Sequence, residues 1–163
     1  MTARPETEDR GESKPANNRS SARLAAVQAL YQLDMNDVRV EKVVAEFNRH
    51  RLGKEIEGAV YLPADRDLFA GLVRAATQRR ADIDALISER LARGWTFERM
   101  NATLRALLRA GVAELLTRPD IPARVTVNEF VDVAHGFFAG EEPGFVNKIL
   151  DGVARAARPG ELA

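Results

Sequence analysis

The chain has 163 residues, 45% of them apolar and 29% charged, with 24 Lys and Arg against 24 Asp and Glu, which suits one soluble globular domain. A balanced chain does not coat nucleic acid by charge alone, although local basic patches remain open to it. No cysteine is present, so disulfides, thiolate metal sites, iron–sulfur clusters and thiol nucleophiles are excluded.

Residues 1 to 18 are polar and hold no aliphatic side chain beyond Ala. They are expected to form a disordered arm, because they cannot bury enough apolar surface to offset ordering. The arm has no apolar signal core, and no run approaches the length of a membrane span, which makes a cytoplasmic protein the expectation. Between Glu12 and Asp34 the only charges are Lys14, Arg19 and Arg23, so a basic segment leads into the first predicted helix, "SSARLAAVQALYQLD". Ser20 or Ser21 is its expected cap. Leu24, Val27 and Tyr31, with Leu30 beside them, form its expected apolar stripe.

A second helix is predicted after Asp37, with Val40, Val43, Val44 and Phe47 facing inward and Gly53 as its stop. Residues 54 to 64 read as a loop. From Asp65 to Arg93 the helical period persists, except at "TQRRAD", where a kink or a change of packing partner is expected. Gly94 ends that segment, and Trp95 and Phe97 begin the next, in which Leu104, Leu107, Leu108, Val112 and Leu115 line one face. "RPDIP" breaks the chain, and two last helices follow at about 126–138 and 143–157. No useful alternation of period two occurs. The fold class is all-α, with about six or seven helices.

Catalytic patterns are lacking. His50 and His135 stand apart among polar residues, and there is no HExxH, Gly-rich phosphate loop or GxSxG. The reading is a non-enzyme with no cofactor and no metal. Rings stand out instead: Tyr31 on the first helix, Phe137 and Phe138 at the end of one helix, and Phe145 at the start of the next. The stretch "EEPGFVNKIL" (141–150) reads as an ordinary helix entry, with acids and Pro143 in the first turn, or as a mount for an exposed ring. Rings beside cations bind single-stranded nucleic acid, since bases stack while cations follow phosphates. The same rings would serve equally as core.

Three stretches carry a family likeness. "ARLAAVQALYQLD" (22–34) resembles the first-helix signature of the NusB family of bacterial transcription antitermination factors. "LLRAGVAELLTRPDIPARVTVNEFVDVAHGFF" (107–138) is similar to its L-R…E-L…P-x-x-V-x-[IV]-N-E segment, through Arg109, Glu114, Leu115, Pro122, Val125, Val127, Asn128 and Glu129. "GFVNKIL" (144–150) resembles its F-V-N-[GA]-[VI]-L motif. The likeness runs from about Arg19 to Pro159. It implies an all-α domain over 19–159, built of two small helical subdomains, with 160–163 as a tail.

The resemblance also implies a function. The family's members pair with the small-subunit ribosomal protein NusE and hold single-stranded boxA RNA for the RNA polymerase antitermination complex. By motif position, the RNA-facing residues would be Lys14, Arg19, Arg23, Tyr31, Phe137, Glu141 and Phe145. Departures from the pattern are visible. The arm reads "NNRSSAR" where many relatives carry consecutive arginines, Lys148 stands where a small residue is usual, and Leu104 stands where an acid is common. Asn147 is expected to bond backbone in the core.

Three cations and two stacked bases would supply about 4–9 kcal/mol before ordering costs, while micromolar binding needs about 8 kcal/mol. The chain alone is therefore expected to bind RNA weakly and to need a partner. The alternatives are a helical protein–protein adaptor without RNA contact, or an RNA-binding domain acting in ribosomal RNA processing, like the N-terminal domain of some ribosomal RNA methyltransferases. The chain ends without a cofactor-binding half, so it is not expected to methylate. An exposed apolar surface awaiting a partner would also allow a homodimer. Exposure of Phe137 or Phe145 beside Arg23 would favour RNA, and burial of both would favour the adaptor.

Overall fold

Alanine decides how the first helix packs. In the computed structural model, which describes residues 15–50, 55–56, 59–60 and 65–162, α1 runs Pro15–Met35. Ala22, Ala25, Ala26 and Ala29 are buried on it together with Val27 and Leu30, and these short side chains let α3 and α5 approach closely. The expected stripe is therefore corrected. Leu24 and Tyr31 are 40% and 39% exposed and lie on the strip of α1 that its neighbours leave uncovered. Helix already exists at Pro15, so Ser20 and Ser21 lie inside it rather than at its cap, and the last residues assigned to the arm belong to α1. The rest of the arm, Lys14 included, lies outside the described residues.

Helix α2, Val40–His50, buries Val43, Val44 and Phe47, and the Phe47 ring stacks on Phe69 at 5.3 Å. The expected stop at Gly53 falls outside the described residues. Within the predicted loop, β1 (Glu55–Ile56) and β2 (Ala59–Val60) pair antiparallel, too short a hairpin to alter an all-α class. Helix α3, Arg66–Gln78, is capped by the Asp65 carboxylate, which accepts from the Leu68 N–H at 2.9 Å. Arg79 interrupts the helix within the polar stretch where a kink was expected, and α4 continues over Arg80–Ser88.

Gly94 turns the chain with φ of 93°, a conformation that costs glycine little, and a 3₁₀ turn follows at Phe97–Arg99. Helix α5 is Ala102–Thr117, α6 is Ala123–Phe137 and α7 is Glu142–Ala157. Every residue from Ala106 to Leu115 is buried, because α1, α3, α4, α6 and α7 all pack against α5. The first three helices gather on one side of it and the last two on the other, which gives the two small helical groups. The final residues, expected as a tail, are tied down. The Glu161 carboxylate accepts from the Ala123 N–H at 2.6 Å, and the Arg155 guanidinium donates to the Leu162 carbonyl at 2.8 Å.

Candidate nucleic-acid interface

Ion pairs fix how the helices run. Arg23, two turns into α1, meets Glu114, near the end of α5, with Nε–Oε1 at 2.8 Å and Nη2–Oε2 at 3.0 Å. Farther along α1, Asp34 accepts from Arg105 near the start of α5 at 2.9 Å. The two helices are thus antiparallel. The Thr126 hydroxyl donates to Glu114, so the start of α6 lies at the same end as Arg23. The Arg158 guanidinium donates to the Ile121 carbonyl, which brings the end of α7 there too. The end of α6 and the start of α7 then fall at the opposite end, beside the start of α5.

That geometry sorts the residues expected to face RNA. Arg23 is corrected: its side chain is 1% exposed and held bidentately by a Glu114 that is fully buried. Glu129 stands 3.7 Å from its other terminal nitrogen. A guanidinium so enclosed does not reach a phosphate, and its role is to pair the first helix with the fifth. Arg19 is half-buried and lies twelve residues before Tyr31, about 18 Å along the helix axis. The expected meeting of a basic arm and aromatic surface around Arg23 therefore does not form among the described residues.

The rings do gather. Tyr31 and Phe137, which is 42% exposed, share a pocket of about 340 Å³ with Val27, Gln28, Gln32 and Thr103. A second groove continues from Gln28 and Phe137 along α1 and α6, past Leu24, Glu129, Asp132 and Val133. Phe138 tilts against Phe137 at 6.3 Å and 50°, and packs partly on the core. Phe145, one turn into α7 behind a buried Pro143, is half-buried. Glu141, just before the helix, is exposed.

Sequence reasoning missed Trp95. Its ring lies on Phe145 with centroids 5.6 Å apart and planes 24° apart, and it is 56% exposed. The signal available was a lone tryptophan in the polar stretch "ARGWTFER", directly after a glycine. Asn147 is a further correction: it is exposed on α7 rather than bonded in the core. His50 and His135 are exposed, as expected. Leu104 is buried at 5%, where an acid would lack water.

Below the rings, Asp34 gathers cations from two helices. Arg105 binds it at 2.9 Å, Arg80 at 3.3 Å and Arg109 at 3.5 Å. Burial pushes the Asp34 carboxyl up, but the Arg105 hydrogen bond and the charges of Arg109, Arg105 and Arg80 together hold it below the usual value of 3.8. Arg109 also bonds Asp84 at 2.8 Å and lies over the Phe97 ring at 4.9 Å. These arginines are committed to the frame.

A helical frame braced by internal ion pairs, with rings and amides displayed at one end, defines a recognition protein of the all-α class. The NusB family model matches residues 20–155, and the chain belongs to the NusB family. It is 51% identical over 150 residues to the transcription antitermination protein NusB of Nitrobacter hamburgensis, covering 92% of this chain and 94% of that one. Among solved structures it is similar to NusB of T. maritima, at 27% identity and a TM-score of 0.73, covering 93% of this chain and 98% of that one. It is also similar to a chain in the crystal structure of antitermination factors NusB and NusE in complex with dsRNA, at 25% identity and a TM-score of 0.69, covering 86% and 98%.

Proposed function

We propose that this chain is a non-catalytic antitermination factor of the cytoplasm, which pairs with a NusE-type ribosomal protein and holds single-stranded boxA-type RNA beside RNA polymerase. The observation that carries the reading is the pocket where two exposed rings, Tyr31 and Phe137, face the Gln28 and Gln32 amides and the Thr103 hydroxyl. A splayed base needs this combination of stacking faces and neutral donors and acceptors for its edges. Membership of the NusB family and likeness to a chain crystallised with NusE and RNA support it. Phe145, Glu141 and Arg19 would lie along the same path, with Arg19 meeting phosphate toward the start of α1; Lys14, outside the described residues, would add a further phosphate contact.

Fluorescence anisotropy of a labelled boxA-type RNA, with and without the NusE-type protein, tests this reading. Each lost stacking ring is worth about 1–3 kcal/mol, so Tyr31→Ala and Phe137→Ala are each expected to weaken RNA binding by ~5- to ~150-fold while circular dichroism is unchanged. Undiminished binding by the folded double variant would overturn the assignment. With Arg23 withdrawn, binding by the chain alone should be weaker than micromolar at about 150 mM salt.

One observation favours a protein-facing role for the adjoining groove. Its Leu24 and Phe137 are edged by Glu129 and Asp132, carboxylates that repel phosphate and suit a basic protein segment.

A further inference from the structure

The arginines of this molecule divide into those that are committed and those that are not. Arg23, Arg74, Arg80, Arg90, Arg105, Arg109, Arg118, Arg155 and Arg158 all pair with carboxylates. Three cations without a carboxylate partner among the described residues lie close in sequence to the two rings of one stacked pair, Trp95 and Phe145. Arg93 precedes Trp95 by two residues. Arg99 closes the 3₁₀ turn that follows it, its N–H donating to the Thr96 carbonyl at 3.2 Å. Lys148 lies one helical turn beyond Phe145 on α7, so the two share a face. All three are exposed.

The ring pair is built as a platform. Phe145 packs partly on the core and offers a ring face to Trp95. Trp95 therefore lies over the very ring that the family likeness would assign to RNA, and is itself the ring open to solvent. A tryptophan more than half exposed, propped from behind and set beside three free cations, has the composition of a single-strand stacking site.

We infer that Trp95, backed by Phe145 and flanked by Arg93, Arg99 and Lys148, is a stacking platform for a base of single-stranded RNA. The inference rests on the RNA-binding reading above and extends it to a second contact, in which Phe145 belongs to the predicted path and Trp95, Arg93, Arg99 and Lys148 lie outside it. Lys148 acquires a role here: it adds a phosphate contact where a small residue would give none.

The chain has one tryptophan, so its emission reports on this position alone. The experiment titrates the full-length protein, bound to its NusE-type partner, with unlabelled boxA-type RNA. Tryptophan emission is read from a complex whose partner carries Phe at any tryptophan, and anisotropy of labelled RNA is read in parallel. Quenching that follows RNA occupancy is expected. Trp95→Ala should lose ~5- to ~150-fold in RNA affinity and Trp95→Phe should retain most of it. Arg93→Gln, Arg99→Gln and Lys148→Gln should each reduce the slope of log affinity against log salt by about 0.7. RNA that binds the wild-type complex without quenching, and equally well with Trp95→Ala, would overturn the platform while leaving the Tyr31–Phe137 pocket standing. Absence of RNA binding by the wild-type complex would overturn both. Emission that responds fully to the partner protein, with no further change on adding RNA, would make this a protein-facing surface and overturn the inference.

Discussion

Arg23 and Glu114 lie 1% and 0% exposed, so each is tolerable only because the other is there. Breaking such a pair leaves an uncompensated buried charge, which costs about 3–5 kcal/mol, whereas removing both charges is often close to neutral. Glu114→Leu is therefore expected to lower unfolding free energy by roughly that amount in urea denaturation, and Arg23→Met combined with Glu114→Leu should recover most of it. Recovery stays incomplete, because the Thr126 hydroxyl also donates to Glu114 and loses its acceptor. The pair shows where residue-scale reading stops. Arg23 sits in a polar-looking start, "NNRSSAR", and reads as part of a basic arm. What buries it is the alanine face around it and a carboxylate 91 residues away, a pairing that local pattern does not encode. Trp95 shows the converse: a large ring directly after the left-handed Gly94 lies 56% exposed.

Elements were more legible than individual roles. The break at "RPDIP" and the start of α7 follow from proline and apolar period alone, whereas α4 ends at Ser88, before the expected stop at Gly94, and α6 begins at Ala123, ahead of the expected start near residue 126. The split between α3 and α4 falls where polar residues interrupt the period. The buried face of α1 was misread because Leu24 and Tyr31 outrank alanine in hydrophobicity, although it is alanine that permits close helix contact. Between elements, Asp34 ties the end of α1 to Arg80 on α4 and to Arg105 and Arg109 on α5. Its carboxyl is held below its ordinary value, so its contribution to stability is fully present above about pH 4 and is lost as pH falls through the lower folded-state value. The stability gap between wild type and Asp34→Asn, followed by urea titration from about pH 6 to pH 2.5, should accordingly narrow on acidification. A gap that stays constant would mean Asp34 titrates as in the unfolded chain. Helix contact makes a second demand: a Cβ on Gly111 would stand 2.9 Å from a Leu150 methyl carbon. Gly111→Val should destabilise by about 1–3 kcal/mol through overpacking between α5 and α7, read as a lowered melting temperature.

At the scale of the whole molecule, salt dependence separates the two accounts of RNA binding. If the arm alone neutralises phosphate through Lys14 and Arg19, raising salt from about 50 to about 200 mM costs roughly 7-fold in affinity. If Arg93, Arg99 and Lys148 also take part, the same change costs roughly 130-fold. The experiment is a set of anisotropy titrations across that range, and the steeper dependence is expected. A different consequence follows from α5, whose buried run Ala106–Leu115 serves as the interior of both helical groups at once. The first group has packing of its own, Phe47 on Phe69 among it, but both groups close on the same α5 interior, so opening one side exposes the core of the other and a single cooperative transition is expected. Loss of near-ultraviolet signal, Trp95 emission and helicity should coincide in a single transition, and a cut at the Gly94 turn should leave two fragments that fold only when they find each other.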